Sequence, residues 1–298
     1  MKVIEVPQTM DYRSLDGLIA DVAQVRDGKI LFDARRLRWV DPAGMIALLA
    51  LGRQVLNRTG ELPTLQLPEG GDIPGYLARM AFFEASRDIF RQEERPPRRA
   101  ARASEILLEV TPIQENRDVH ELVERVQERA AVILGRTLHL PPTAVVPFAV
   151  ILSEVCQNIL EHAEGPGWVA AQTYHWSRRL GRQVLVLAVG DVGRGFRGSL
   201  SAEYSGRYGS RWNDATALEA AFIHGMTRFP DQGRGHGIQQ IRKQVRRWGG
   251  LMTIRSGEAR ITDVPEWEDL PPLESNLPPI VGSWITLILP ARVEGGAT

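Results

Sequence analysis

The chain has 298 residues, 43% of them hydrophobic and 24% charged, a balance that excludes disorder over its whole length and leaves room for two domains. Thirty-six basic residues offset thirty-six acidic ones, so no overall field draws the chain to nucleic acid or to an anionic membrane, and a partner must be recognised locally. The apolar runs AGMIALLAL and AVVPFAVIL fall well short of the ~18 residues of a membrane-spanning helix, the N-terminus lacks a signal-peptide pattern, and the single cysteine, Cys156, excludes an internal disulfide. These features predict a soluble cytoplasmic protein.

In chain order, KILFDA reads as a strand, and DPAGMIALLALGRQVLNRTG as a helix with Asp41 as N-cap and Pro42 in the first helical position. Ile46, Leu49 and Leu56 give that helix a core face. TLQL is a further strand and GYLARMAFFEA a single further helix, so residues 1–90 form a small α/β layer. Residues 91–104, RQEERPPRRAARAS, lack apolar periodicity and read as a linker long enough to let the flanking domains touch.

Residues 105–298 form a second α/β domain. EILLEV is a strand, and DVHELVERVQERAAVILGR an amphipathic helix whose stripe is Val119, Leu122, Val126 and Ile133. An apolar helix containing SEVCQNILEHA follows, then a hairpin of GWVAAQTYHW and RQVLVLAVGD. Residues 196–232 read as a long Gly- and Ser-containing region before the helix IQQIRKQVRRWGG. The strands LMTIRS and GSWITLILP close the domain, and the Pro-rich acidic stretch 264–279 between them reads as a surface loop.

In SEVCQNILEHA, Glu154, Asn158 and His162 are spaced by four, which makes them one polar stripe beside an aliphatic one at Ile151, Val155 and Ile159. Such a helix buries its aliphatic face and presents the polar row to a cavity. There a carboxylate can act as a base on a hydroxyl or water, and an amide oxygen can ligate Mg²⁺. Downstream, DVGRGF places Asp191 at a strand end with Gly193 and Gly195 after it, and GRGHGI places Gly233, Gly235 and Gly237 before a helix. Glycines let the main chain approach a phosphate with its N–H groups free, and the positive end of the next helix adds to the attraction.

The order of these three motifs resembles the GHKL (Bergerat-fold, HATPase) ATPase family over residues 104–292. The resemblance implies an α/β sandwich, a mixed sheet covered by helices, that binds ATP and Mg²⁺. In that family's terms Glu154 orients or deprotonates the nucleophile and Asn158 holds the metal. Asp191 takes the exocyclic amine of adenine, Ser283 stands beside it, and the glycines cradle phosphate. The stretch before Gly233 then corresponds to a mobile ATP lid, with Arg228 and Arg234 near the γ-phosphate. The triplet beginning at His120 lacks the Arg and Pro of a histidine-kinase phosphoacceptor box, and the chain has no large transducer domain of the gyrase type. The closest resemblance is to the anti-sigma-factor serine/threonine kinases, whose partners are STAS proteins; homodimers are common in the family, although no heptad seam marks one here.

The run ILFDARRLRWVDPAGMIAL resembles the centre of a STAS domain, where an Asp-Ser-Ser-Gly turn carries the phosphoacceptor serine. Here the turn reads Asp41, Pro42, Ala43, Gly44, so the acceptor hydroxyl is missing. The resemblance therefore implies a separate STAS-like substrate, with the attached domain acting as a docking, inhibitory or dimerisation element. An ATP-hydrolysing conformational switch and a non-catalytic nucleotide-binding module are the alternatives.

Overall fold

A computed structural model describes residues 1–92, 106–227 and 237–293. Gly233, Gly235, Arg228 and Arg234 lie outside the described residues, as do most of the Arg/Pro-rich segment and the side chain of His162.

The N-terminal unit runs β1 (Lys2–Glu5), β2 (Thr9–Met10), α1 (Asp16–Ala23), β3 (Ile30–Asp33), β4 (Trp39–Val40), α2 (Pro42–Thr59), β5 (Thr64–Gln66), α3 (Asp72–Arg79), α4 (Phe82–Ser86) and β6 (Arg91–Gln92). Its main sheet has the order β1-β3-β5-β6, with parallel pairings throughout. α2 begins as its sequence dictates: the Asp41 carboxylate accepts the Gly44 N–H at 2.9 Å, Pro42 occupies the first turn, and Gly60 ends the helix at φ 73°. Three expectations are corrected here. Leu56 is only half-buried, whereas residues 42–52 are buried on every side because α2 is packed from both faces. The segment GYLARMAFFEA is two helices, since Ala81 takes a left-handed φ of 57° between α3 and α4. Arg91 and Gln92, read as the start of a linker, pair with β5 as the last strand of the sheet.

The second unit runs β7 (Ile106–Ile113), α5 (Asn116–Val132), α6 (Val145–Asn158), β8 (Gly167–Trp176), β9 (Arg182–Asp191), α7 (Gly195–Tyr208), α8 (Asp214–Phe222), α9 (Gly237–Arg247), β10 (Leu251–Gly257), β11 (Ala259–Asp263), β12 (Leu273–Glu274) and β13 (Ile280–Pro290). The seven strands have the order β12-β11-β10-β13-β9-β8-β7. Every pairing among them is antiparallel, not mixed as expected. The reason is the position of β13. β9 and β10 run in the same direction across their helical connection, but β13 inserts between them and opposes both. The region read as a Gly- and Ser-containing stretch is largely helical: α7 and α8 pack through Leu200, Tyr204, Trp212, Ala217 and Ala221.

Side chains alternate across the sheet, so it has two covered faces. Leu185, Leu187, Val189, Ile285 and Leu287 join Val119, Leu122, Phe148, Ile151 and Val155 in the core under α5 and α6. Val184, Val186, Ala188, Trp168, Trp284 and Ile288 belong instead to a core shared with the N-terminal unit, including Ile46 of α2. Thus the two units share one hydrophobic core, and α2 fills the space between two sheets.

The stretch 264–279, expected to be a surface loop, is partly ordered against the N-terminal unit. Tyr12 donates to Glu268 Oε2 at 2.5 Å, Arg13 and Arg179 both pair with that carboxylate, and the Arg179 guanidinium stacks 4.5 Å above the Trp176 ring. Asp16 of α1 adds an ion pair to Arg260 at 3.3 Å. One helical stretch, Pro142–Glu161, is long and apolar enough on composition to cross a membrane, which the shorter uninterrupted runs did not suggest. Its side chains Phe148, Ile151, Leu152, Val155 and Cys156 lie in the core, and core helices of water-soluble proteins pass the same test.

Candidate functional site

The cavity with the most chemistry has a volume of about 500 Å³ and lies on the α6 side of the sheet. α6 buries Ile151, Leu152, Val155 and Cys156, which leaves its remaining stripe, Ser153, Glu154, Gln157 and Asn158, on the cavity wall. Gly195 and Phe196 open α7 on one side, Gly237 and Ile238 open α9 on another, and Ser283 of β13 closes the end. Glu154, Asn158, Gly195, Gly237 and Ser283, all selected from the sequence, therefore line one cavity.

The row of three is interrupted. After Asn158 the chain widens into a π-helical turn over Ile159–Ala163, where a spacing of four no longer returns to the same face as it does in an α-helix. The turn ends at Glu164, whose carboxylate pairs with Arg194.

Asp191 ends β9 and is 4% exposed. It stands behind Ser283 instead of on the cavity wall. Ser283 Oγ donates to its Oδ2 at 2.5 Å, and the Gly193 N–H donates to its Oδ1 at 2.8 Å. Burial raises its pKa, and the donors act in the opposite direction by favouring the ionised form. The Ser283 backbone N–H is a third donor, and since an ionised carboxylate offers about four acceptor sites, capacity remains for one ligand N–H.

Gly193 does not reach the cavity either; it is where the chain passes so close to the Ala163 carbonyl that any Cβ would overlap it. Gly195 has φ 66° and a Cβ there would lie 2.7 Å from Ser256 Oγ. Gly237 abuts Glu154, whose carboxylate occupies the space a Cβ would need. Glycine is therefore required at Gly193, where the obstacle is backbone, and favoured at Gly195 by its positive φ, whereas at Gly237 a side chain could be admitted only by displacing the Glu154 carboxylate.

Several residues that shape the site were not singled out from the sequence. Ser256 accepts the Phe196 N–H at 3.1 Å and donates to the Gly282 carbonyl at 3.0 Å, tying the turn after Asp191 to β13. Its register opposite Ser283 is a tertiary fact with no local signal. Gln157, Ser199, Thr227 and Gln240 supply further polar groups, and Phe196, Leu200 and Met226 supply an apolar wall. Such a wall could have been sought in the amphipathic pattern of 195–208, but its Gly and Ser content obscured the helix.

The oxygen donors on this wall could supply one or two ligands to a divalent cation such as Mg²⁺. Asn158 offers a carboxamide oxygen and Glu154 offers carboxylate oxygens, while Asn158 Nδ2, buried without a hydrogen-bond partner among the described residues, is a donor that calls for an acceptor and not for a cation. No group of three or more His, Cys, Asp or Glu side chains placed to hold a metal occurs among the described residues. A Mg²⁺ ion commonly takes only one or two protein oxygens, its other ligands being water and phosphate.

When the chain was compared with models of known protein families and with curated proteins, none matched.

Proposed function

We propose that this chain is a cytoplasmic, GHKL-type ATP-binding regulatory protein, with a Bergerat-like unit at residues 105–298, a STAS-like unit at residues 1–90, and an Arg/Pro-rich connection between them. The observation that carries this reading is the convergence of Glu154, Asn158, Gly195, Gly237 and Ser283 on one cavity, with Asp191 held behind Ser283. The apolar wall of Phe196, Leu200 and Met226 suits a purine face, and the Asp191 carboxylate suits its exocyclic amine. Asn158 would contribute an oxygen to Mg²⁺, which supplies charge neutralisation on the phosphates when bound.

Within that class we assign a serine/threonine protein kinase of the anti-sigma type acting on a separate STAS-like protein. Glu154 lines the cavity near the start of α9, where it would accept the proton of an attacking hydroxyl. The attached unit does not serve as substrate: Ala43 has no hydroxyl and is buried between α2 and the far face of the sheet, lining a small crevice with Ala188 and Trp284. That same fixed seating favours a second reading, an ATP-hydrolysing switch in which the N-terminal unit responds to the nucleotide site.

Purified protein with Mg²⁺ and labelled ATP separates the two. Label on a Ser or Thr of a STAS protein, absent with Glu154→Gln, is expected for the kinase. Glu154-dependent release of free phosphate with no labelled partner would replace it by the switch, and absence of ATP binding would remove both.

A further inference from the structure

Asp191 and Ser283 face the cavity side of the sheet, and their chain neighbours Gly190 and Trp284 face the opposite side, where the N-terminal unit packs. Gly190 lies directly between Trp168 on β8 and Trp284 on β13. It is therefore a dimple between two indoles. A Cβ on Gly190 would lie 2.5 Å from Ile46 Cγ2 and 2.9 Å from Trp284 Cδ1, so the Cγ2 methyl of Ile46 fills that dimple. Ile46 is 1% exposed and projects from α2, whose first turn is held by Asp41. Ala43, one turn earlier, lines the same interlayer crevice.

Behind this contact the two strands have little freedom. The Asp191 carbonyl and carboxylate take up the space beside Gly282, which has φ 82° and leaves no room for a Cβ. Ser256 in turn holds the Gly282 carbonyl at 3.0 Å. Close-packed interiors transmit such displacements because they have little empty volume to absorb them. A shift of Ile46 must move the backbone at Gly190 or the ring of Trp284, and each of these is one residue from a member of the Asp191–Ser283 pair.

We propose that Ile46 is a positioning residue for the Asp191–Ser283 pair, and that through it the seating of the N-terminal unit sets the selectivity of the cavity for adenine. The proposal rests on the nucleotide-binding reading given above. It assigns to the unit that carries no acceptor serine a role inside the nucleotide site, exerted through the sheet.

The test measures binding of ATP and of purine riboside triphosphate, which lacks the exocyclic amine, to the full chain. Ile46→Ala removes the Cγ2 methyl and should weaken ATP binding roughly three- to thirtyfold while leaving the analogue unchanged. Ile46→Val keeps that methyl and should retain ATP affinity. Phe32→Leu provides the stability control, since Phe32 packs on Phe90 at 5.3 Å within the N-terminal unit. Gly190→Ala should weaken ATP binding from the other side of the contact, and adding Ile46→Ala to it should restore part of the affinity, because the new methyl then occupies the vacated dimple. The double variant keeps the question open to measurement if Ile46→Ala alone folds poorly.

Asp191→Asn distinguishes the two levels of the argument. If it weakens ATP selectively while Ile46→Ala affects both nucleotides equally, or affects neither, the positioning role is wrong and the nucleotide site stands. If Asp191→Asn leaves ATP binding unchanged, the adenine assignment falls and the proposal falls with it.

Discussion

The Ser283 hydroxyl donates a hydrogen bond to Asp191 across 2.5 Å, joining the start of β13 to the end of β9, 92 residues earlier. Strand order makes this bond: β13 lies beside β9 because it inserts between β9 and β10. The bond favours the ionised form of a carboxylate whose burial opposes ionisation. Ser283→Ala should therefore raise the Asp191 pKa further and weaken ATP binding, and a hydrogen bond to a charged group is worth about 1.5–3 kcal/mol. Calorimetric titration with ATP between pH 5 and 8 checks this, with the loss expected to be greatest at the acid end, where Asp191 first loses its acceptor character.

Glu154→Gln keeps the shape of the side chain and removes its basicity. ATP affinity should change little and turnover should fall by about a hundredfold or more. Stopped-flow binding and single-turnover assays report the two quantities separately. Equal losses in both would place Glu154 in nucleotide binding instead of proton transfer.

Gly237→Ala puts a methyl group where the Glu154 carboxylate now lies. The carboxylate must move, so turnover should fall by about tenfold or more, in keeping with the sensitivity of catalysis to ångström-scale misplacement. Gly193→Ala is the harsher change, since the atom it meets is the Ala163 backbone carbonyl and no side-chain rotation relieves the overlap. Circular dichroism melts should show a lower midpoint for Gly193→Ala than for Gly237→Ala.

The Asp41 carboxyl, 1% exposed, has its pKa pushed up to about 7 by burial, against 3.8 for a free aspartate. Between those values the folded chain binds more protons at this site than the unfolded chain, so this group makes stability fall as pH rises, by at most about 1.4 kcal/mol per pH unit. Asparagine retains an oxygen for the Gly44 N–H and cannot ionise. Urea denaturation at pH 5 and pH 8 should show a smaller loss of stability for Asp41→Asn than for the parent, and equal losses would mean that the carboxyl titrates at its ordinary value.

Glu268 is the common acceptor for Tyr12, Arg13 and Arg179, so it holds the stretch 264–279 and the β8–β9 hairpin against the N-terminal unit. Removing the carboxylate takes away these charge-assisted hydrogen bonds, but the arginines are partly exposed and regain water, so the cost should be about 1–3 kcal/mol. Glu268→Ala should lower the urea midpoint accordingly. Joint replacement with Arg179→Met should recover part of that loss.

The local reading was accurate wherever short-range chemistry decides. Asp41, Pro42 and Gly60 fixed the ends of α2, and the hairpin 167–176 with 182–191 has the expected bounds. Val119, Leu122, Val126 and Ile133 are all buried as their spacing predicts. It failed where helices form from small residues: α7 contains Gly195, Gly198 and Gly206, whose low intrinsic propensity is offset by packing of Leu200 and Tyr204. The break at Ala81 and the pairing of Arg91 with β5 are likewise set by tertiary contacts.

By itself the sequence singled out Glu154, Asn158, Asp191 and the spaced glycines as candidate groups, because residue type and spacing are local properties, and it offered Ser283 only through a family resemblance. Only the tertiary structure decided that Ser283 meets Asp191, that Gly237 meets Glu154 and that Ile46 fills the dimple at Gly190. Those contacts join residues far apart in the chain, and they depend on strand order and on how closely one backbone can pass another, quantities that hydrophobic patterning leaves undetermined.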